Sequence, residues 1–207
     1  MDDGNERFIW TAGRFIGGAL CLDLANTVVH PLGPARRERI ADAQALADWA
    51  RAAVAFGPAG REAGMAATMA TGDAGMATGA RLGRALALRS VIDAAFRSSV
   101  GGLPIGSGDA ARLLAQAARC VAAMRWVDGM APGGGQRCVD DVLGWSALSA
   151  VRLLATLPNA RLRACAACDW LFVDLSRGGR RRWCDMAVCG NRAKASRRRD
   201  RREAEAP

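Results

Sequence analysis

No run of apolar residues in this chain of 207 residues approaches the ~18 that a membrane helix requires. The most apolar stretch, GGALCLDLANTVV, is interrupted by Asp23 and Asn26. A secretory leader is missing too: the chain begins MDDGNE, which is acidic and polar, and it lacks the basic amphipathic pattern of a transit peptide. A cytoplasmic protein with no membrane partner is therefore expected. Catalytic signatures are equally absent, with no Gly-rich phosphate loop, no HExxH and no nucleophile elbow. The single histidine, His30, sits before Pro31 with no serine or cysteine nucleophile nearby, so it reads as structural. Enzyme activity is not expected.

What is present divides unevenly along the chain. Hydrophobic residues make up 51%, enough for a core in one full domain with a small appendage. The net charge is +9, and residues 177–207 account for +7 of it, with eleven basic against four acidic side chains. The body is thus close to neutral and the C-terminal end strongly basic, which suggests a polyanionic partner.

Periodicity gives a mainly α fold. Residues 1–13 read as loosely ordered. Gly17-Gly18 precedes an apolar segment, Ala19 to Val29, read as a short strand or turn leading into a helix that Pro31 and Pro34 end. Asp42 is placed as N-cap of a helix through about Phe56, with Leu46, Trp49, Ala53 and Phe56 on one face. Residues 57–80 hold six glycines and eight alanines and form a low-complexity insert, expected as a mobile loop or a frayed helix. Further helices are expected over 81–100, from a cap near Asp109 to Met124, and from Asp140 to Leu157. A small β-hairpin is expected over 125–139, where two β-prone runs flank a Gly/Pro-rich turn.

Four of the seven cysteines fall in two close pairs, Cys165-x2-Cys168 and Cys184-x4-Cys189, fifteen residues apart. That spacing is the layout of a structural zinc site, in which four thiolates fill a tetrahedral shell. A redox CxxC belongs at a helix start in a βαβ unit, and none precedes it. Disulfides conflict with a reducing compartment, and a catalytic zinc would keep one position for water. Residues 161–192 contain few large apolar groups, and ordering about thirty residues costs ~1–2 kcal/mol each. One structural Zn²⁺, worth an apparent ~10–16 kcal/mol in small fingers, would close the gap, with Trp170 and Trp183 roofing it. Cys21, Cys120 and Cys138 are small core residues on this reading.

WCDMAVCGNRAK (183–194), preceded by WLFVDLSRGGRRRWC, resembles the CGNR zinc finger. GGALCLDLANTV (17–28) is similar to the N-terminal motif of the ABATE domain, the helical domain that usually precedes that finger. The first cysteine pair is closer here than in many members. The resemblance implies a bacterial, stress-induced transcription regulator of the following organisation: a loosely ordered 1–13, a helical ABATE-like domain over 14–160 with its insert at 57–80, a CGNR finger over 161–194 that is a small treble-clef or ribbon-like zinc module, and a basic tail, 195–207, in a C-terminal helix.

The stretch 191–205 has only alanines as non-polar residues, so it has no apolar stripe with which to dock. The zinc would draw Arg180, Arg181 and Arg182 toward Arg192, Lys194, Arg197 and Arg198, making one positive surface for DNA, with RNA as the alternative partner. A protein-interaction module with an architectural zinc is the other class of function. Cys184→Ser is expected to lose zinc and unfold the C-terminal module while sparing the body. In the body, Asp23, Asn26 and Thr27 share one helix face and form either a buried hydrogen-bonded network or a small-molecule pocket. A homodimer is expected only by analogy with regulators that read paired half-sites.

Overall fold

The computed structural model describes residues 8–30, 36–57, 67–69, 77–126, 135–156 and 161–204. Six α-helices and three two-stranded sheets make up the described residues. The mainly α class expected from periodicity is what the fold has.

At its centre lies a short helix, α1 (Leu20–Ala25), all six of whose residues are buried. The order of elements in this segment is the reverse of the expected one: the helix comes first, and the strand β1 (Val28–Val29) follows. β1 pairs antiparallel with β2 (Arg37–Glu38). The two glycines before α1 are required by contact. Gly18 adopts φ +81, and a Cβ there would lie 3.3 Å from Cβ of Val173, so a side chain meets both backbone strain and a neighbouring strand.

Helix α2 (Ala43–Phe56) starts where Asp42 caps it, its carboxylate accepting from the Ala45 amide at 2.7 Å. Leu46, Trp49 and Ala53 face the core, whereas Phe56 is partly exposed. Helices α3 (Gly79–Ser98), α4 (Ser107–Ala122) and α5 (Val139–Thr156) pack successively, and α1 inserts against α3 and α5. Gly106, not Asp109, caps α4, and Asp109 lies in the first turn. Buried leucines and alanines from α1 to α5 form one continuous core.

Most of the β-hairpin expected over 125–139 falls outside the described residues, and among the described ones no antiparallel pairing joins its two arms. Residues 127–134 lie outside the described residues, and β4 (Gly135–Arg137) pairs in parallel with β3 (Ala67–Met69) from the Gly/Ala-rich insert. The insert therefore contributes a strand where a loop or frayed helix was expected; its residues 58–66 and 70–76 lie outside the described residues. The antiparallel pair of the helical body is β1–β2 instead. Of the segment read as loosely ordered, Phe8 and Trp10 pack edge to face at 4.7 Å, and Trp10 reaches Phe15. Residues 1–7 lie outside the described set.

Buried charge is matched by position. Arg89 of α3 forms a two-pronged pair with Glu38, both contacts at 2.7 Å, and donates to the Thr27 hydroxyl at 3.0 Å. Fully buried Asp141 of α5 accepts from the Arg125 guanidinium at 2.9 Å and from the amides of Arg125 and Cys138. No helix among the described residues is long and apolar enough to cross a membrane.

Candidate metal centre and basic surface

An antiparallel pair, β5 (Leu162–Ala164) and β6 (Leu171–Val173), carries the first two cysteines in the turn between its strands. The Cys165 amide donates to the Trp170 carbonyl at 2.8 Å, and the Asp169 amide returns to the Cys165 carbonyl at 2.9 Å. Asp169 takes φ +60 to close the turn, a left-handed position that aspartate tolerates better than most residues. Of the other two cysteines, Cys184 precedes a π-helical turn, Met186–Gly190, and Cys189 lies within it; the turn runs directly into α6 (Asn191–Ala204). Asp185 caps that turn, its carboxylate accepting from the Val188 amide at 3.0 Å.

The four sulfurs of Cys165, Cys168, Cys184 and Cys189 lie within 4.8 Å of one another. Cys168–Cys184, Cys184–Cys189 and Cys189–Cys168 are each separated by 3.7 Å. A tetrahedron with Zn–S bonds of ~2.3 Å has edges of about 3.8 Å, so the donor set fits zinc in number, chemistry and spacing. Charge points the same way. Hydrogen bonds among the thiols push Cys165 down and Cys168 and Cys184 up, while burial raises Cys189. Four thiolates this close need a cation among them. Trp170 is buried on the cluster and Trp183 packs beside it.

Cys21, Cys120 and Cys138 are buried elsewhere. Burial pushes the Cys21 thiol up to about 12 and that of Cys120 to about 11, so both are poor nucleophiles.

A seam joins the zinc module to the segment around α1. The Gly17 carbonyl accepts from the Val173 amide at 2.9 Å, and the Gly17 amide donates to Asp23 Oδ1 at the same distance. Asn26 bonds both backbone groups of Leu171. Trp170 Nε1 donates to the Val28 carbonyl at 3.1 Å, and the His30 amide to the Cys168 carbonyl at 3.3 Å. His30, at φ +51, also places Nδ1 3.3 Å from Asp169. From α3, Arg97 donates to the Asp169 carbonyl at 3.1 Å while gripping Asp93. Leu162, Leu171 and Val173 of the zinc module belong to the main core. Asp23, Asn26 and Thr27 are all buried, and their partners are Gly17, Leu171, Leu24 and Arg89.

Of the basic residues singled out in the sequence, Arg180, Arg182, Arg192, Lys194, Arg197 and Arg198 are exposed. Arg181 differs. Its guanidinium donates to the Cys184 carbonyl and lies 5.2 Å from the Phe172 ring, while its amide donates to Asp174 at 2.7 Å. It braces the metal turn. Arg182 covers the Trp183 ring at 5.4 Å. Gly190 is not among the glycines with positive φ, so no left-handed turn requires it. A Cβ there would lie 2.7 Å from Met186 Sδ and 3.3 Å from Trp183, so its role is close packing. Helix α6 buries none of its described side chains.

Asp174, Asp169 and Arg97 escaped the sequence reading. Arginine and aspartate occur throughout the chain, and only the fold brings these three to the metal turn. Two family models match this arrangement. The CGNR zinc finger matches residues 161–202, and ABATE, whose description reads "Putative stress-induced transcription regulator", matches residues 18–157, more than half of the chain. No curated protein and no solved structure matches.

Proposed function

The chain belongs to the ABATE family, described as "Putative stress-induced transcription regulator", and carries a CGNR zinc finger with one structural zinc; from that premise we propose that it regulates transcription by binding DNA through the surface that the zinc organises. Cys165, Cys168, Cys184 and Cys189 hold the ion. Arg180, Arg182, Arg192, Lys194, Arg197 and Arg198 meet the phosphates, with Arg181 as their brace.

One observation carries the reading. Helix α6 is held at its start by the turn bearing Cys189, yet buries none of its described side chains, and seven of its fourteen residues are Lys or Arg against two acids, Asp200 and Glu203. A short isolated helix is marginal in water, and a helix without an apolar stripe gains nothing from the body. Phosphate neutralisation supplies the missing stabilisation. RNA finds less support as the partner, because Trp170 is only 5% exposed and offers no face on which an unpaired base could stack.

The proposed organisation is a helical body over 14–160, a finger over 161–194 and a basic tail over 195–207. The body serves as a sensor or oligomerisation domain, and the seam at Gly17–His30 carries its state to the finger.

The test is selection of duplexes from a genomic DNA library by the zinc-loaded protein, followed by affinity at several salt concentrations. A ratio above ~10³ between the best duplex and scrambled DNA is expected. With about four phosphates neutralised, log K should fall against log salt with a slope near −3.6. Arg192→Ala/Lys194→Ala should weaken binding and flatten that slope with zinc content unchanged. Equal affinity for selected and scrambled DNA would overturn the reading.

A further inference from the structure

The zinc module has a second exposed element, the loop over 174–181, which is built more rigidly than a passive connection needs. Asp174 has no solvent exposure. Its carboxylate accepts from the Ser176 amide at 3.0 Å, the Ser176 hydroxyl at 2.6 Å and the Arg181 amide at 2.7 Å. Its own amide donates to the Arg161 carbonyl at 2.8 Å. Midway along the loop, Arg163 donates to the Gly179 carbonyl at 2.6 Å. A buried carboxylate is tolerable only when its oxygens are taken up in this way, and here they are spent on fixing the loop.

What the loop displays has no use within the chain. Leu175 is 73% exposed, and Arg177 and Arg180 stand exposed beside it. Ordering a loop costs conformational entropy, and that cost is recovered when a partner meets the loop already in shape. The partner's chemistry follows from the charge. Asp174 is the loop's one acid, and it faces inward, so the surface is purely cationic around one apolar side chain. A groove of duplex DNA offers the complement, with sugar and base edges between two rows of phosphate. Arginine enters narrow minor grooves, and leucine is among the wedges used there. The loop is also continuous with the basic surface, since it leads through Arg181 and Arg182 into Cys184, and the Arg182 carbonyl is held by the Ala166 amide at 3.0 Å.

We infer that this loop is a second DNA-contact element, laying Leu175 in the minor groove with Arg177 and Arg180 against its walls. The inference rests on the DNA-binding reading above. Its test uses the full zinc-loaded chain on a duplex selected from a random library, with and without a minor-groove-binding polyamide. Leu175→Ser should weaken binding about tenfold with no change in salt slope, and should make binding insensitive to the polyamide. Arg177→Ala should reduce the slope by about 0.9. Both side chains are exposed, so zinc content and melting temperature should match the wild type. Wild-type affinity in both variants, with binding still weakened in Arg192→Ala/Lys194→Ala, overturns the loop's role and leaves DNA binding standing. A wild-type protein that retains no duplex overturns both.

Discussion

The side chain of Asn26 occupies the place of a neighbouring strand beside Leu171, donating to its carbonyl at 2.9 Å and accepting from its amide at 2.8 Å. The two residues are 145 positions apart, one in the helical body and the other in the zinc module. Removing the carboxamide strands two buried backbone groups, each at about 1–3 kcal/mol. Asn26→Ala should therefore cost about 2–6 kcal/mol in chemical denaturation. Asn26→Asp should cost at least as much at pH 7, because it sets a buried carboxylate oxygen against the Leu171 carbonyl in place of the donor.

Zinc removal should be felt well beyond the finger. From sequence, Cys184→Ser is expected to spare the body, but Leu162, Leu171 and Val173 sit in the main core and Gly17 to His30 bond to the metal turn. Amide exchange in residues 20–30 should accelerate when zinc is chelated or Cys184 is replaced. Unchanged exchange there would mean that the two parts fold independently.

Arg180 and Arg181 are neighbours of identical chemistry with different surroundings. Arg181→Ala removes a hydrogen bond to Cys184 and the contact over Phe172, and should lower the melting temperature and zinc affinity. Arg180→Ala should leave both unchanged and reduce only DNA affinity. Equal melting temperatures for the two variants would contradict the bracing role.

Acid should weaken the fold through Glu38 and Asp141. Burial pulls both carboxyls up, but Arg89 at Glu38 and Arg125 at Asp141 outweigh it and hold them below the usual range. A carboxyl lowered in the folded state contributes stability that is full above its unfolded value of ~4 and is lost as pH falls through the folded value. Asp141→Asn should cost about 1–3 kcal/mol at pH 7, with the gap to wild type closing below pH 4. Any loss of zinc common to both proteins cancels in that difference. A gap that stays constant with pH would mean that the contribution is not ionic.

The zinc centre was legible because ligand chemistry demands particular residues at short spacing, and cysteine pairs are rare enough to stand out. Helices α2 and α4 are legible because each carries an apolar face, and α2 also because Asp42 marks its start; the starts of α3 and α4 lie a turn or less from the expected positions. The β3–β4 pair was hidden, since parallel pairing between residues 67–69 and 135–137 leaves no local signature. The order of helix and strand around α1 was also misread. A wholly buried six-residue helix has no polar face to give it a period, so LCLDLA serves either structure. The seam was hidden for a third reason: Asn26, His30 and Arg97 act through backbone groups of residues 168–171, and a backbone partner leaves no trace in composition.

Helix α6 has a reach set by its length. Fourteen residues span about 21 Å at ~1.5 Å each, against a major groove ~12 Å wide. Tethered at one end by the turn that bears Cys189, the rod is long enough to bridge from one phosphate ridge to the other. Its inner turns would then lie over the base edges while its outer turns grip the far strand. On the DNA-binding reading proposed above, the zinc would fix the pivot of that rod, and the angle at which the turn bearing Cys189 releases it would decide where along a duplex its arginines land.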